Sequence, residues 1–483
     1  MHAGSKERAK ERPKERRFRL SALTEQGSFL TTAQAEAWLM STAGKAHLSV
    51  RQVPFSELGE WSFDPATGDL GHHSGKFFQV HGLRVHVETD SVVEWEQPIL
   101  NQPEIGILGI IAKEFDGHLH FLMQAKMEPG NPLGVQMVPT VQATKSNYTQ
   151  VHQGARPLYV DHMLDRSLSR VLVDQLQYEQ GSAFFRKRNR NIVVEVTDDL
   201  PVEDGYQWLT LGQVKALLRC SNLVSMDTRT VISCLSLVER GHHPFDADGL
   251  CPPDTFGAAL LTSAAQREQG ASSTDELLYW LTDLKCRWRL SAERIGLDAV
   301  TGWSRTPLEI AHDGGRFFRV VAVQVESDSR EVSRWSQPLL APSAKGLVGF
   351  LVKSFGGLLH FLVQARVEPG NVEAVALAPT VQCGLGFERA DDRSSAPIFA
   401  DLLANAPEKW IRYAATQSEE GGRFFGLESD YRIVELPGDI NPSLPENFRW
   451  MTLGQLNEML RFGLVNIEAR NVLSCLSFTP QPE

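Results

Sequence analysis

The stretch Trp95-Glu96-Gln97-Pro98-Ile99-Leu100 returns 240 residues later as Trp335-Ser336-Gln337-Pro338-Leu339-Leu340. At the same offset, Glu128-Pro129-Gly130-Asn131 returns as Glu368-Pro369-Gly370-Asn371. Such self-similarity predicts a tandem duplication of one domain. Features that both copies keep belong to the fold or to a shared ligand, and features that one copy has lost indicate which pocket is active.

The length fits this duplication, because 483 residues are too many for one core and suit two domains of about 200 residues. We expected each copy to bury a full core alone. The predicted organisation is a basic, disordered tail (residues 1–25), a first copy (26–240), a linker (241–270) and a second copy (271–483).

Composition excludes several classes of protein. The net charge of −11 argues against a nucleic-acid partner, and no apolar run approaches the ~20 residues of a membrane span. The basic N-terminus does not read as a secretory signal. The six cysteines form no C-x-x-C pair, which argues against a zinc or redox site and fits a reduced cytoplasm.

Periodicity predicts an α+β fold with a mixed sheet and flanking helices. Residues 118–128 alternate as a strand, Pro-Gly-Asn supplies a turn, and a second strand follows, so each copy should carry a hairpin with one dry and one polar face. The pattern also predicts a helix over 164–178 and a strand over 191–196. The Thr-Leu-Gly-Gln segments, which begin at Thr210 and Thr452, predict an N-cap followed by a helix.

A polar stripe along the hairpin strand is the strongest chemical signal. Its members share one strand face and recur in the second copy: His120, Gln124, Lys126 and Glu128, then His360, Gln364, Arg366 and Glu368. A solvent-facing sheet needs only polarity, whereas a ligand needs particular groups at particular places. The lysine and arginine suit a phosphate, and the glutamates could hold a sugar hydroxyl or cap the turn.

The aromatic positions have two readings. His120 and His360 could act as a general acid or base near neutral pH, or they could be histidines at the edge of the core. Trp95 and Trp335 could stack on a nucleobase, although core packing is the commoner use.

The copies differ after their Pro-Thr-Val-Gln strands. The first copy has Ser146-Asn147-Tyr148 and then His152, where the second has Gly386-Phe387-Glu388. This difference favours chemistry in the first copy, with Tyr148 as a loop aromatic in the alternative reading. Arg423 of the second copy stands where the first has Ala183, which keeps the second pocket in contention.

The repeated motifs, together with Ser146-Asn147-Tyr148, residues 177–182 and residues 186–191, resemble the NDP-hexose 2,3-dehydratases of deoxysugar pathways that supply antibiotics. This resemblance implies a duplicated Nudix-like fold, a homodimer and the substrate dTDP-4-keto-6-deoxy-D-glucose. It implies loss of water across C2–C3 to give dTDP-3,4-diketo-2,6-dideoxy-D-glucose, with a downstream 3-ketoreductase as functional partner.

The Nudix comparison also implies what is missing. Of the glutamates of a Nudix box, only Glu179 or Glu419 survives in each copy, so Mg²⁺-dependent pyrophosphate cleavage is not expected. The C4 ketone of the substrate is its own electron sink, and we therefore expect neither a metal nor an organic cofactor.

The sequence thus yields a defined set of candidate residues. The catalytic candidates, without individual roles, are His120, Lys126, Glu128 and Tyr148. The substrate-binding candidates are Trp95, Gln124, Asn131, Gln142, Asn147, Glu179, Trp335, His360, Gln364, Arg366, Glu368, Asn371, Gln382, Glu419 and Arg423. We expect both copies to bind dTDP. The alternatives are a Nudix-type nucleotide-sugar hydrolase and a non-catalytic nucleotide-sugar binding protein.

Overall fold

The structure is a computed structural model that describes residues 13–45, 47–149, 156–239, 255–328, 333–383 and 397–479. The elements of the first copy are α1 (Lys14–Ala22), α2 (Thr32–Lys45), β1 (Leu48–Val53), β2 (Trp61–Phe63), β3 (Leu70–His72), β4 (Gln79–Glu88), β5 (Val92–Asn101), β6 (Gly106–Phe115), β7 (His118–Met127), β8 (Val135–Val138), β9 (Val141–Ala143), α3 (Lys145–Tyr148), α4 (Val160–Leu164), β10 (Arg170–Tyr178), β11 (Arg188–Glu195), β12 (Tyr206–Thr210), α5 (Leu211–Leu217) and α6 (Met226–Ser233).

The second copy repeats this order except for α3, whose equivalent segment lies outside the described residues. Its elements are α7 (Thr255–Ala265), α8 (Thr274–Arg287), β13 (Arg289–Ile295), β14 (Trp303–Arg305), β15 (Glu309–His312), β16 (Phe318–Ser327), β17 (Arg334–Pro342), β18 (Gly346–Phe355), β19 (Leu358–Arg366), β20 (Ala376–Ala378), β21 (Val381–Cys383), α9 (Ala400–Ala404), β22 (Ile411–Ser418), β23 (Glu428–Glu435), β24 (Phe448–Thr452), α10 (Leu453–Arg461) and α11 (Ile467–Ser474).

A seven-stranded mixed sheet forms the centre of each copy, and the two sheets have the same topology. The first follows the path β10-β11-β6-β7-β12, with β8 beside β7 and β9 beside β6; the second follows β22-β23-β18-β19-β24, with β20 and β21 in the matching places. Only the β6–β11 and β18–β23 pairs are parallel within the described sheets. The predicted mixture of helix and sheet is confirmed.

The helix that follows each large sheet starts as its sequence predicts. The Thr210 hydroxyl accepts from the backbone N–H of Gln213, whose side chain accepts from the backbone N–H of Thr210. Thr452 and Gln455 form the same capping box at α10. Each box satisfies two backbone N–H groups that a helix start leaves without partners.

Two smaller sheets exchange strands between the copies. Strand β1 of the first copy pairs antiparallel with β16 of the second, from Leu48↔Ser327 to Val53↔Ala322. Reciprocally, β13 of the second copy pairs with β4 of the first, from Arg289↔Glu88 to Ile295↔Gly82. One large apolar cluster also contains residues of both copies. The expectation that each copy has a separate core is therefore wrong.

Buried arginines join the two copies through reciprocal contacts. The Arg229 guanidinium of α6 donates to Gln417 Oε1 at 3.2 Å and to the carbonyl of Ser418 at 2.6 Å. Arg470 of α11 reciprocates toward Gln177 Oε1 at 3.3 Å and the carbonyl of Tyr178 at 2.7 Å. Fully buried cations need such acceptors, so these contacts fix how the two copies pack.

The repeated Glu-Pro-Gly-Asn turns pack against the opposite copy. Gly130 donates its N–H to the Gly421 carbonyl at 2.7 Å, and Gly370 donates to the Gly181 carbonyl at 2.5 Å. A Cβ atom on Gly130 would lie 1.6 Å from the carbonyl oxygen of Phe424. Both copies therefore need glycine at this position for packing, independently of any ligand.

Two segments that the sequence predicts to be irregular, the tail and the linker, contain helices. Within the predicted tail, α1 packs Phe18 against Phe121, with ring centroids 6.4 Å apart, and Ser21 Oγ donates to the Leu119 carbonyl. Within the predicted linker, Ser263 of α7 makes the equivalent bond to Leu359. The prediction of disorder is wrong for α1, and the 241–270 linker includes an ordered helix of the second copy. Residues 240–254 lie outside the described residues.

Two further expectations are wrong. The predicted helix over 164–178 is mainly strand β10, paired with β11, so the segment compared with the Nudix box does not form a helix. The hairpin strand also lacks a fully polar face, because His120 and Leu122 are buried. Leu122 packs in a separate apolar cluster that includes Trp208, and the half-buried polar residues of this face lie towards the two ends of β7.

Candidate active site

A chain of polar side chains begins at the end of strand β7. Lys126 Nζ lies 2.8 Å from Glu128 Oε1 and donates to Gln142 Oε1 at 2.7 Å. The Gln142 amide donates in turn to Asp227 Oδ2. Strands β7 and β9 both border β6 and its partners in the large sheet, which places these side chains together although they are distant in sequence.

Asp227 lies in the first turn of α6, where Ser225 caps the helix. The residue is only 6% exposed. Burial, followed by the neighbouring carboxyl groups of Glu179 and Glu128, raises the pKa of Asp227 to about 7. A carboxyl group with this pKa can both take and release a proton at neutral pH.

The loop between β10 and β11 forms another wall. Burial, and then the carboxyl group of Glu420, raises the pKa of Glu179 to about 7. Burial lowers the pKa of Lys187 to about 8, although Glu179 opposes this shift. Lys187 Nζ donates to the Glu104 carbonyl, and Asn189 Nδ2 donates to Glu179 Oε1. Ionisable groups of both signs therefore share a site of low exposure.

The second copy contributes Glu420 and Arg423 to this cluster. Burial raises the pKa of Glu420 to about 8; Arg423 opposes the shift, and the carboxyl groups of Glu128 and Asp227 add to it. Arg423 donates to Gln102 Oε1 at 3.2 Å. Its guanidinium lies 4.2 Å from the ring centroid of Phe78. Arg423 thus borders the first copy rather than a pocket of its own.

The segment that distinguishes the copies is only partly linked to this cluster. Ser146 Oγ donates to Glu104 Oε2 at 2.9 Å, and the backbone carbonyl of Glu104 accepts from Lys187. Asn147 is exposed, and Tyr148 packs against an apolar cluster of the first copy. His152 and the second-copy segment 386–388 lie outside the described residues.

The structure does not bring His120 to Lys126. His120 lies six residues earlier on β7, which corresponds to about 20 Å along a strand. Its Nδ1 bonds to the His118 carbonyl at 3.0 Å, and its Nε2 accepts from the Ser28 backbone N–H at 3.1 Å. His360 makes the equivalent bonds, to Leu358 and from Ala271. These contacts anchor the chain before α2 and α8.

We therefore predict that His120→Ala lowers stability rather than turnover. It removes a buried hydrogen-bond acceptor, which typically costs about 1–3 kcal/mol. His360→Ala should lower the melting temperature by a similar amount, while kcat per folded enzyme stays within a few-fold of wild type for both variants. A selective loss of about 10²-fold or more in kcat for His120→Ala alone would restore His120 as an acid or base.

The predicted tryptophans hold side chains that support the loops. Trp95 Nε1 donates to Gln97 Oε1 at 2.8 Å, and the Gln97 amide donates to the Ser182 carbonyl at 2.9 Å. Trp335 makes the same bond to Gln337. The indole N–H groups of both tryptophans are therefore bound within the protein. Gln124 and Gln364 lie at matching, half-buried positions on β7 and β19.

In the second copy the corresponding polar groups bind one another. Arg366 Nε lies 3.4 Å from Glu368 Oε1. Asn466 Nδ2 donates to Gln382 Oε1 at 2.8 Å and to Glu368 Oε1 at 3.3 Å. Burial raises the pKa of Glu468, the counterpart of Asp227, well above its ordinary value.

The remaining candidates belong to the contact between the copies. Gln180 Nε2 donates to Glu419 Oε2 at 2.7 Å. Asn131 Nδ2 donates to the Gly134 carbonyl within its own turn. Asn371 is buried beside Gly181, where an added Cβ would lie 2.7 Å from Asn371 Oδ1.

Sequence reasoning missed Asp227, Lys187 and Glu420. The signal for Asp227 was present, because the second copy keeps an acid, Glu468, at the same place in its repeated helix. Glu420 replaces Gln180 of the first copy. Nothing local in the sequence indicates that Glu420 serves the opposite copy.

One group among the described residues could hold a metal ion. Glu60, His72 and His73 present ligand atoms within 4.8 Å of one another. His72 already bonds to Glu60 Oε2 at 3.0 Å and to Ser74 Oγ at 2.8 Å. The group lies at the ends of strands β2 and β3, and it includes none of the residues grouped around Asp227.

The sequence matches one family of known proteins along most of its length. The sequence model described as NDP-hexose 2,3-dehydratase matches residues 32–235 and 274–476. A dTDP-4-dehydro-6-deoxy-alpha-D-glucopyranose 2,3-dehydratase of Saccharopolyspora spinosa is 46% identical over 462 residues, covering 95% of this chain and 94% of the relative. Proteins of the same name from Amycolatopsis orientalis and Streptomyces violaceoruber are 43% and 42% identical, covering 95% and 93% of this chain and 93% and 98% of the relatives.

The two family matches fall on the two structural copies, and each includes the hairpin strand and the helix, α6 or α11, that carry its polar side chains. The alignment with the first of these relatives extends over both copies rather than over a single motif. The chain therefore belongs to the NDP-hexose 2,3-dehydratase family.

Proposed function

We propose that this chain is a lyase that removes water across C2–C3 of dTDP-4-keto-6-deoxy-D-glucose. The product would be dTDP-3,4-diketo-2,6-dideoxy-D-glucose, made for deoxysugar biosynthesis. The relatives named above act, by their names, on this 4-dehydro-6-deoxy sugar nucleotide. The observation that carries the proposal is a cluster of carboxyl groups titrating near neutral pH beside Lys126, because the reaction requires both a base and an acid.

Asp227 and Lys126 suit the first step. The C4 ketone acidifies the C3 proton, and Asp227, with its pKa raised to about 7 by burial, is a sufficiently strong base to remove it. The enolate oxygen then needs a donor. The Lys126 ammonium group has three N–H donors. Within the described chain, two of them are directed to Gln142 and Glu128. The third suits the C4 oxygen.

The first copy is the proposed catalytic half. Tyr148 and Asn147 follow its pocket strand, and we propose that the Tyr148 hydroxyl contacts the sugar. Arg423 and Lys187 interact electrostatically, and two adjacent cations suit a diphosphate. Gln142 and Glu179 complete this proposed substrate-binding set.

We propose that the second copy is a binding or structural site, with its own dTDP. It keeps Arg366 and Glu368, but these groups bind within their own pocket. Calorimetry should find two dTDP sites per chain, of which Arg366→Ala removes one. A stoichiometry of one would refute this assignment.

Turnover is predicted to need no added metal or organic cofactor, since the substrate ketone stabilises the carbanion. Dialysis against EDTA should leave kcat unchanged, with untreated enzyme as the control. A strict loss of activity that a divalent ion restores would contradict the expectation.

The decisive experiment is NMR of the product formed from dTDP-4-keto-6-deoxyglucose, trapped by a 3-ketoreductase. Loss of the C2 hydroxyl supports the lyase. Release of dTMP and a sugar phosphate in the presence of Mg²⁺ would instead indicate a Nudix-type hydrolase, and dTDP binding without turnover would indicate a sensor.

We also propose finer features that the resemblance implies: a homodimer, a divergent Nudix-like fold for each copy, coupling to a 3-ketoreductase and a cytoplasmic location. The mixed seven-stranded sheets with flanking helices support the fold proposal. Among the described helices, none is long and apolar enough to cross a membrane.

A further inference from the structure

We propose that Glu420, a residue of the second copy, is the general acid that protonates the departing C2 hydroxyl in the pocket of the first copy. This inference rests on the proposed dehydration. It makes the active site composite, so that neither copy contains the full set of catalytic groups.

Backbone contacts fix Glu420 at the first-copy pocket. The turn that follows Glu128 is held between Gly421 and Gly426, because Gly130 N–H donates to the Gly421 carbonyl at 2.7 Å and Gly426 N–H donates to the Gly130 carbonyl at 3.0 Å. A Cβ on Gly422 would lie 2.3 Å from Glu420 Oε1 and 3.6 Å from Glu128 Oε2. Both carboxyl groups therefore border the space beside Gly422.

Burial favours the protonated form of Glu420 at neutral pH. Burial raises its pKa to about 8, with further contributions from Glu128 and Asp227. Arg423 and Lys126 act in the opposite direction but do not offset the burial. A protonated carboxyl group is the form that a general acid requires.

The charged groups of this cluster can be assigned to successive positions of the bound sugar. Arg423, beside Glu420, suits the diphosphate on C1, and Lys126 suits the oxygen on C4. Glu420 interacts electrostatically with Asp227 and with both of these cations. A sugar bound in this direction places its C2 hydroxyl by Glu420 and its C3 proton by Asp227.

The counterpart of Glu420 cannot perform this role. In the first copy the equivalent residue is Gln180, which is buried and donates its amide to Glu419 Oε2 at 2.7 Å. An amide has no proton to release at neutral pH. Gln180 of the first copy thus contacts the second copy, and Glu420 of the second copy contacts the first. Of these two equivalent residues, only Glu420 is an acid.

The proton balance closes without another reactant. Asp227 takes the C3 proton, and the electron pair forms the enolate. Glu420 gives its proton to the C2 oxygen while the C2–O bond breaks and water leaves, forming the C2=C3 enol and restoring the C4 ketone. Protonated Asp227 then delivers a proton to C2 as the Glu420 carboxylate accepts the proton of the C3 hydroxyl, which regenerates both groups.

The test separates proton removal from elimination. In D₂O, Glu420→Gln should still exchange the C3 proton of the substrate, measured by NMR, while elimination falls by about 10²-fold or more. The kcat/KM profile of wild type should fall above a pH near 8, and this alkaline limb should be absent in the variant. Glu420→Asp should recover part of the elimination rate together with the limb.

Gln180→Met is the matched control at the equivalent position and should eliminate within a few-fold of wild type. Thermal melting verifies that each variant is folded. Elimination at the wild-type rate in Glu420→Gln would overturn the proposal, as would equal losses of exchange and elimination, which would make Glu420 necessary before the enolate. Absence of elimination in wild type would instead refute the proposed function.

Discussion

Asp227→Asn is expected to lower kcat by about 10²–10⁴-fold, the usual contribution of a proton-transfer group. Asparagine keeps an acceptor for the Gln142 amide, so dTDP binding should survive. The same substitution should raise the melting temperature at pH 8. Steady-state kinetics, dTDP calorimetry and thermal melts at several pH values measure these effects.

The sign of the stability effect follows from the pKa. An aspartic acid titrates near 3.9 when unfolded, whereas burial raises the pKa of Asp227 to about 7 in the fold. The native state therefore holds its proton more tightly, and stability falls as the pH rises from about 4 to 7. A tenfold shift in a proton equilibrium corresponds to about 1.4 kcal/mol. The Asp227→Asn variant should therefore be more stable than wild type by a few kcal/mol at pH 8, and this difference should be absent near pH 3.

Glu468→Gln provides the matched control in the second copy. Burial also raises the pKa of Glu468, so its amide variant should gain stability at pH 8 while kcat is unchanged. If Glu468→Gln abolishes turnover and Asp227→Asn does not, the active pocket lies in the second copy.

Gly130→Ala should prevent stable assembly of the two copies. The added Cβ would lie 1.6 Å from the Phe424 carbonyl oxygen, and a backbone atom cannot rotate away as a side chain can. We expect a loss of about 4 kcal/mol or more, at the upper end for single substitutions, or failure to fold. Solubility and thermal melting measure this effect.

Gly438→Ala is the control, because a Cβ there meets no atom within 4 Å. Its melting temperature should stay close to that of wild type. Gly370→Ala, whose Cβ would lie 1.9 Å from the Phe184 carbonyl oxygen, should behave like Gly130→Ala. Wild-type melting of Gly130→Ala would show that the turn does not hold the copies together.

The sequence predicted those elements whose causes are local. The hairpin strand, the Thr210 cap and the mixed sheet follow from alternation and capping chemistry within a few residues. The sequence predicts a helix where the structure has strand β10, because polar and apolar residues over 170–178 fit both periods in part. The strand exchange between the copies was not predictable, since nothing near β1 indicates that its partner is β16.

The candidate site shows the same difference between residues that local patterns predict and residues that only long-range folding brings together. Lys126, Glu128 and Gln142 were found because one strand and its neighbour carry them. Asp227 joins them through a helix about 85 residues away along the chain, which periodicity cannot position. The repeated motif Glu-Pro-Gly-Asn offers Glu128 and Asn131 as ligand candidates, yet its glycine is required where the two copies meet.

The exchanged strands also affect synthesis of the protein. Strand β1 leaves the ribosome some 270 residues before its partner β16, which at 5–20 residues per second is an interval of roughly 15–50 s. During this interval the nascent first copy presents β4 without β13 and keeps β1 without any partner. An unpaired strand edge promotes association with other chains. Slower induction at low temperature, or more chaperone, should therefore raise the soluble yield of this protein more than that of a chain whose repeats fold independently.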